Sequence, residues 1–367
     1  AEQSRAEQSR AEQSRAEQSR AEQSRRFTID VIKGTAVFFV LWGHCIQFFS
    51  GGVYDYFEDY IFKFIYSFHM PLFAVVSGYL FFDSLKKRTF LHSIKSKISG
   101  LLWPIILWST IKYALGIIIG LLKGNFSISL SAWWSEVTGM FLWFLWSIFA
   151  ISVCIALVVK LLPKKINGIG FIVFYFAMYL FPNREMNLYL YPFFVLGYLA
   201  RDTENLWKKY WNKILCVTIP IFIMLLFFYE KQCYIYNSGV TLWTSNYGIL
   251  EQFLIDIYRY VIGATGSITV IGLITLTVNR ISKMEFIASW GRKSLQIYIL
   301  QGLSLTWIWP MVWGKMIEKL GYNPLMKSMI VYWGITAIIA VIILLILSGI
   351  ADVLKRLSEL NRFLFGR

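Results

Sequence analysis

Three ionisable residues, Asp30, Lys33 and His44, lie on an apolar segment, Ile29–Phe49, that is long enough to cross a membrane. At about 100° per residue, positions 26, 30, 33, 37, 41 and 44 share one face of a helix. Arg26 then lies at one membrane surface, and His44 lies about 16 Å beyond Lys33. Ionisable groups inside a membrane are costly and persist where they have a partner or a task. The stripe therefore predicts the wall of a reaction channel that leads to a deep histidine, which can act as a general base.

A second histidine follows in the next apolar segment, within the run Phe68-His69-Met70-Pro71-Leu72-Phe73. The loop between the two segments is short, so the two helices are expected to be neighbours that run in opposite directions. His44 and His69 then lie about 8 Å and 13 Å below the same membrane surface. Pro71 removes a backbone hydrogen bond beside His69 and opens the helix there. We therefore expect the two histidines to approach each other.

Each of these residues also has a purely structural interpretation. Asp30 and Lys33 are three residues apart and can form an ion pair near the interface, with Lys33 extending toward water. His44 can be a packed, hydrogen-bonded histidine. His69 can bond to a carbonyl that Pro71 frees. The sequence leaves these alternatives open.

The motifs around both histidines resemble the membrane-bound acyltransferase 3 family, nearest to its fucose 4-O-acetylase-like branch. The resemblance rests on Asp30-x-x-Lys33-Gly34 with Gly43-His44, and on the Phe-His-Met-Pro-Leu-Phe run followed by Ser77-Gly78-Tyr79. The wider family usually has arginine at the position of Lys33. A weaker similarity continues in Ser289–Leu295, after which the family often has a histidine where this chain has Gln301. The resemblance covers residues 26 to about 350.

This resemblance implies a membrane O-acetyltransferase of the bacterial cytoplasmic membrane. Its donor would be cytoplasmic acetyl-CoA, a co-substrate and not a permanently bound cofactor. Its acceptor would be a hydroxyl of a cell-surface polysaccharide, such as capsule or O-antigen, or of a lipid-linked precursor.

The resemblance also implies roles for particular residues. His44 is expected to be the base, and His69 to orient the acceptor, share the proton or donate to the developing oxyanion. Cations at the inner mouth are expected to hold the CoA phosphates; they are Lys33, Arg26, Lys95 and Lys97. Small and structural residues around them are expected to orient these groups: Asp30, Pro71, Ser77, Gly78 and Tyr79.

Composition also places the chain in a membrane. Of its 367 residues, 57% are hydrophobic and 16% are charged, and the mean hydropathy is +0.56. These values are typical of a protein with several membrane spans, whose surroundings are lipids. The net charge of +15 would suit nucleic acid, but the basic residues lie between apolar runs, where topology explains them. Four cysteines and three histidines without ligand spacing predict neither a disulfide framework nor a metal site.

Apolar runs between charged breaks predict about ten transmembrane helices. The runs are about 29–49, 60–82, 98–122, 138–159, 168–182, 188–200, 214–229, 257–278, 294–313 and 328–350. Lys and Arg total 20 in the loops 83–97, 160–167, 201–213, 279–293 and 351–367, and 6 in the alternate loops. The positive-inside rule therefore predicts that both termini are cytoplasmic. Apolar residues at helical spacing in 351–367 predict an amphipathic tail on the inner surface.

Residues 1–25 are five copies of Ala-Glu-Gln-Ser-Arg. They lack the apolar core of a signal peptide, and their low complexity predicts disorder or a frayed helix. The base unit GCAGA, repeated, reads GCA-GAG-CAG-AGC-AGA and encodes this peptide. Gain or loss of one unit would shift the reading frame, so we infer a phase-variable gene, which suits an enzyme that alters a surface antigen. The alternative is an engineered tag.

A membrane transporter or flippase of glycan-lipid or small solutes is the main alternative function. It would use the same channel but would need no CoA site, and loss of its histidines would not leave bound glycan unacetylated. A scaffold role leaves the intramembrane histidine and lysine unexplained.

Overall fold

The computed structural model describes residues 2–52, 54–125, 127–240, 246–278, 284–321 and 328–366, and for residues 2–18 and 21 it describes the backbone alone. Every regular element in these ranges is helical, which confirms the all-α class. The α-helices are α1 (Glu2–Phe49), α2 (Tyr60–Lys87), α3 (Phe90–Lys97), α4 (Trp103–Leu122), α5 (Leu130–Thr138), α6 (Trp143–Leu161), α7 (Asn167–Ala177), α8 (Arg184–Asp202), α9 (Glu204–Trp207), α10 (Trp211–Leu226), α11 (Ile235–Ser238), α12 (Ile249–Thr277), α13 (Glu285–Arg292), α14 (Ser294–Gln301), α15 (Trp309–Leu320), α16 (Met329–Arg356) and α17 (Ser358–Phe365). Two π-helical segments, Ile98–Leu102 and Gly302–Ile308, join α3 to α4 and α14 to α15.

Seven helical stretches in the described ranges are long and apolar enough to cross a membrane, so this is a multi-pass membrane protein. They are Glu22–Phe49, Tyr60–Lys87, Phe90–Leu122, Leu130–Leu161, Glu204–Leu226, Ile249–Thr277 and Met329–Arg356. These stretches coincide with seven of the ten predicted runs. The runs 168–182, 188–200 and 294–313 are also helical, but α7 has 11 residues, α8 carries charged residues at both ends, and the π segment interrupts α14 and α15. The count of ten and the orientation stay predictions.

Three ion pairs that join different helical segments lie at one end of the bundle, which we call the basic end. Asp83 of α2 accepts from Arg25 of α1 at 3.2 Å and from Arg201 of α8 at 3.0 Å. Lys293, just after α13, pairs with Asp352 of α16 at 2.7 Å. Helix α13 packs on α1 near Asp30, so all of these pairs lie at the same end of the bundle. The C-terminal end of α16 and Arg25 of α1 are therefore at this end as well.

At the opposite end, one buried carboxylate fixes the start of α2. Asp59 is 2% exposed and caps α2 by accepting from the backbone N–H of Phe62 at 2.8 Å. The same side chain accepts from Trp333 Nε1 of α16 at 2.6 Å and from the Tyr54 hydroxyl at 3.3 Å. A buried carboxylate is tolerated when it accepts several hydrogen bonds. Asp59 therefore holds α2 and α16 together beside the short loop that follows α1.

Glycines bring two helix pairs into close contact. A Cβ atom on Gly78 of α2 would overlap the carbonyl oxygen of Phe194 in α8, and one on Gly197 of α8 would overlap that of Val75. Gly34 of α1 meets the backbone of α13 in the same way. Small residues allow such contacts inside membranes. Gly78 therefore serves the contact between α2 and α8.

Helix α2 runs between two apolar clusters of buried side chains. One contains Met70 and Val75 of α2 with residues of α6 and α8. The other contains Phe68 and Leu72 of α2 with residues of α1, α12 and α16. Side chains on opposite faces of α2 thus enter different clusters, and His69 lies between them in sequence. This arrangement fixes the position of α2 against α1.

The two ends of the chain extend beyond the bundle core in different ways. The described part of the repeat, from Glu2, continues α1 as one helix. At the other end α16 continues to Arg356, and α17 packs against α4, where Trp108 Nε1 donates to the Leu364 carbonyl at 2.9 Å and Phe365 is fully buried. The division of the chain into residues 1–25, 26–350 and 351–367 stays a prediction.

Candidate active site

The two histidines line one internal cavity of about 370 Å³, which we call the histidine cavity. His44 comes from α1 and His69 from α2, so the two antiparallel helices bring them together as the short loop predicted. The remaining lining is mostly aromatic and comprises Val40, Gln47, Phe48, Tyr56, Phe57, Phe62, Tyr66, Met70, Met140, Phe141, Trp143, Tyr236, Tyr298, Gln301, Gly302 and Thr306.

His69 is fixed in a single tautomer by its own helix. Its Nδ1 lies 2.8 Å from the carbonyl oxygen of Ile65, and its ring packs edge-on against Tyr66 with 4.7 Å between ring centroids. A carbonyl oxygen only accepts, so in the neutral ring Nδ1 carries the proton and Nε2 carries the free lone pair. The carbonyl that Pro71 frees is that of Ser67, four residues earlier, and not the one that His69 contacts. His69 therefore presents an acceptor to the cavity.

His44 has a different environment. Its ring stacks on Phe48 with 5.6 Å between centroids, and its Nδ1 is buried without a hydrogen-bond partner among the described residues. Buried polar atoms are normally paired, so an unpaired ring nitrogen at a cavity wall is a group that a bound molecule can satisfy. His44 is thus packed against Phe48 with one ring nitrogen that a bound molecule can reach.

A second cavity, of about 520 Å³, extends from the histidine cavity toward the basic end of the bundle. We call it the basic cavity because Lys33, Arg88 and Lys97 line it together with several serines. Its other lining residues are Val37, Val40, Leu41, Met70, Phe73, Val76, Ser77, Leu80, Phe81, Ser84, Ser96, Leu101, Phe144, Leu145, Ile148, Ser294, Leu295, Tyr298 and Gln301. Cations at one end and an apolar wall along most of its length suit a ligand with an anionic head and a thin tail.

Four residues line both cavities, and we call this junction the neck: Val40, Met70, Tyr298 and Gln301. The two cavities therefore lie next to each other at the neck. Lys33 lines the basic cavity and His44 lines the histidine cavity, and a continuous channel along α1 stays a prediction.

Lys33 takes part in both of the arrangements left open by the sequence. Its Nζ lies 2.9 Å from Asp30 Oδ1, and it also lines the basic cavity. The two side chains are 22% and 20% exposed, so the pair lies in a partly hydrated site. Asp30 therefore orients Lys33 at the cavity wall.

The other predicted cations separate into two groups. Lys97 lines the basic cavity and lies over the ring of Phe81, with 4.6 Å from Nζ to the centroid. Lys95 is exposed and Arg26 pairs with Glu22 at 2.7 Å, and neither lines either cavity. The structure thus brings Lys97 to Lys33, but not Lys95 or Arg26.

The predicted orienting residues of α2 also have different surroundings. Ser77 lines the basic cavity. Tyr79 turns away from it and donates to Glu204 at 2.9 Å, beside Arg201. Pro71 packs against Gly263 of α12. Ser77 is therefore the member of this group that a ligand in the basic cavity would meet.

Sequence reasoning missed several site residues. Arg88 donates to Ser96 at 3.0 Å and lines the basic cavity, although the run Lys86-Lys87-Arg88 was counted only for topology. Tyr298 and Gln301 reach the neck, and the sequence signal was their place directly after the Ser289–Leu295 motif. In the described part of the chain no group of three or more His, Cys, Asp or Glu side chains could hold a metal ion.

The roof of the histidine cavity carries Tyr236 and is held by a buried arginine. Arg259 of α12 is 1% exposed and donates to the carbonyl oxygens of Cys233 and Gly239 at 2.9 and 2.8 Å, and to Asp256 at 3.0 Å. Arg259 and Asp256 thus form a buried ion pair, and the contacts of Arg259 tie α12 to the roof. Burial also raises the pKa of the Cys233 thiol, which makes it a poor target for thiol reagents.

The fold and the site define a polytopic helical membrane protein with a histidine-lined cavity inside the bundle. A family model described as an acyltransferase domain, acyltransferase 3, matches residues 26–349, so the chain belongs to that family.

Two curated relatives are similar to this chain. Nodulation protein NolL of Mesorhizobium japonicum is 28% identical over 225 residues, covering 59% of this chain and 60% of the relative. Nodulation protein NolL of Sinorhizobium fredii is 31% identical over 191 residues, covering 49% of this chain and 50% of the relative. The chain therefore spans between half and three fifths of the length of these relatives. No solved structure matches it.

Proposed function

We propose that this chain is a membrane O-acetyltransferase that moves an acetyl group from acetyl-CoA to a hydroxyl of a cell-surface polysaccharide or of its lipid-linked precursor. The observation that carries the proposal is the presence of two adjacent cavities that share the four lining residues of the neck. One of them ends at cations and the other contains two histidines. Membership of the acyltransferase family supports the reaction type.

The basic cavity is the donor site. Lys33, Arg88 and Lys97 hold the phosphates of CoA as cations at the basic end of the bundle. The apolar walls beyond them take the narrow chain that carries the thioester. Because the wall of α1 continues from Lys33 to His44 over about 16 Å, the acetyl group reaches the neck while the phosphates stay at the mouth.

The histidine cavity is the acceptor site. Aromatic side chains such as Tyr66, Trp143 and Tyr236 offer flat faces on which a sugar ring stacks. Gln47 and Thr306 line the same cavity and offer hydrogen bonds to its hydroxyls. The volume of about 370 Å³ suits one sugar unit of a longer chain.

The two histidines divide the proton chemistry. His69 accepts a hydrogen bond through Nε2 from a neighbouring hydroxyl of the same sugar and so orients the acceptor, which leaves the proton of the reacting hydroxyl to His44. His44 takes the proton as the hydroxyl oxygen attacks the thioester carbonyl, and returns it to the sulfur of CoA when the carbon–sulfur bond breaks. In the neutral tautomer the only N–H of His69 is bound to Ile65, so His69 does not donate to the oxyanion.

The direction of transfer follows from the predicted topology. With basic loops in the cytoplasm, the basic cavity opens toward cytoplasmic acetyl-CoA, and the histidine cavity lies toward the outer face of the bacterial cytoplasmic membrane. A phase-variable gene, as the Ala-Glu-Gln-Ser-Arg repeat suggests, fits an enzyme that changes a surface antigen. The fucose 4-O-acetylase-like branch remains the expected subgroup.

Mass spectrometry of surface glycans tests the proposal. Glycans from cells with the gene should carry acetyl groups, on the order of one per repeat unit. Glycans from cells without the gene should lack them. Cells that express the His44→Ala variant at the same level should resemble cells without the gene. If the glycan is instead unacetylated in every strain, and its amount at the cell surface depends on the gene, the chain is a transporter and the proposal is wrong.

A further inference from the structure

Gln301 has an unusual position for a glutamine. It is the last residue of α14 and lines both cavities at the neck. Its side chain is 3% exposed, and its Oε1 has no hydrogen-bond partner among the described residues. Buried amides are normally hydrogen-bonded, so a molecule bound at the neck can supply the partner that Gln301 lacks. Rotation of the amide by half a turn presents either its oxygen or its NH2 group to that molecule.

The backbone next to Gln301 is also irregular. The π-helical segment Gly302–Ile308 begins directly after it, and such segments often occur at functional sites. Gly302 lies against the ring of Phe141, where an added Cβ atom would come within 3.1 Å. The backbone directly after Gln301 therefore passes close to Phe141, which lines the histidine cavity.

This inference rests on the proposed function, in which the carbonyl oxygen of the thioester still lacks a hydrogen-bond donor. Attack on the thioester turns its carbonyl oxygen into an oxyanion, which needs a hydrogen-bond donor. His69 has its N–H bound to Ile65, and His44 is occupied with the hydroxyl proton. We propose that the side-chain NH2 group of Gln301 donates to this oxygen and makes Gln301 a catalytic residue.

The step balances without any further reactant. The acceptor oxygen forms a bond to the carbonyl carbon, and the electron pair of the C=O double bond moves to oxygen. That pair then returns while the carbon–sulfur bond breaks, and the proton held by His44 goes to the sulfur. Gln301 moves no proton, and its hydrogen bond strengthens only as charge develops, so its effect falls on kcat and not on donor binding.

Tyr298 is the rival donor at the neck. It lies three residues before Gln301 on α14, lines both cavities as well and carries a hydroxyl. Tyr298→Phe removes this hydroxyl with almost no change of shape. This variant therefore tests whether the Tyr298 hydroxyl, and not Gln301, is the donor.

The experiment measures acetyl transfer by purified protein in proteoliposomes. The donor is labelled acetyl-CoA, and the acceptor is the surface glycan purified from cells that lack the gene. Gln301→Met keeps the length of the side chain but removes both amide groups, and kcat should fall about 10²- to 10³-fold. The dissociation constant for CoA should stay within about twofold. Gln301→His restores an N–H donor and should recover at least about tenfold of the loss, and Tyr298→Phe should lower kcat less than Gln301→Met does.

Three results would overturn the inference while the proposed function stands. In the first, the wild type is active and the kcat of Gln301→Met lies within about threefold of it. In the second, kcat falls in Tyr298→Phe and not in Gln301→Met. In the third, Gln301→His binds CoA but shows no recovery of kcat. A wild-type protein that binds CoA but transfers no acetyl group to the glycan contradicts the proposed function itself. CoA binding shows whether each variant is folded. If Gln301→Met does not bind CoA, Gln301→His is compared directly with wild type.

Discussion

Two lysines on α3 provide a sharp test of the donor site. Lys97 lines the basic cavity with its ammonium group over Phe81, whereas Lys95 is exposed and lines neither cavity. Lys97→Ala and Lys95→Ala remove the same charge from the same short helix. The contact with Phe81 already orders Lys97, so little side-chain entropy is lost when a phosphate binds.

The expected magnitude follows from that geometry. A hydrogen bond to a charged group contributes about 1.5–3 kcal/mol, and the mouth of the cavity is partly hydrated, which favours the lower value. About 1.4 kcal/mol corresponds to a tenfold change in Kd. We therefore expect Lys97→Ala to weaken CoA binding about tenfold and Lys95→Ala to weaken it by less than about twofold, through long-range charge alone.

Isothermal titration of CoA into the purified protein measures both variants. Repeating the titration at about 0.5 M salt should reduce the small effect of Lys95→Ala further, since exposed charges are screened there. Equal weakening by the two variants, or a larger effect of Lys95→Ala, would refute the assignment of Lys97 to the donor phosphates.

Three further predictions test the donor mouth, the topology and the helix packing. Lys33→Ala should weaken CoA binding while Lys33→Arg largely preserves it, since a guanidinium also binds phosphate; no change in either variant would leave Lys33 as the partner of Asp30 alone. A membrane-impermeant thiol reagent should label Ser127→Cys but not Ser84→Cys in intact cells, and the reverse pattern would place the histidine cavity on the cytoplasmic side. Gly78→Leu should lower the thermal unfolding midpoint by several degrees, because the new side chain meets the backbone of α8, whereas Gly116→Leu, with open space around it, should not; equal midpoints would contradict the packing.

The parts of the site that follow from one helix were predictable from the sequence. A period of 3.6 residues places Lys33 and His44 on one face of α1, and the short loop after α1 brings His69 beside His44. These inferences needed only local geometry and chain connectivity. The ion pair between Asp30 and Lys33 also follows from spacing alone.

The parts that depend on packing between distant helices were not predictable. Lys95 and Lys97 are both basic and both near the same membrane surface, and only the rotation of α3 against α2 decides which one meets the cavity. The Ser289–Leu295 motif draws attention to Gln301, but its place at the neck depends on where α14 ends and on the π-helical segment that follows, which the sequence does not indicate. Charge counting treated Arg88 as a topology signal, since the cavity that it lines is built from several helices.

The central claim is that His44 is the base for acetyl transfer at the junction of the two cavities. The most direct measurement is the rate of transfer from labelled acetyl-CoA to purified glycan in proteoliposomes that contain wild-type protein or His44→Ala. We expect the rate to fall about 10²- to 10⁴-fold in the variant while its Kd for CoA stays unchanged. A His44→Ala variant that binds CoA and transfers acetyl groups at the wild-type rate would contradict the account.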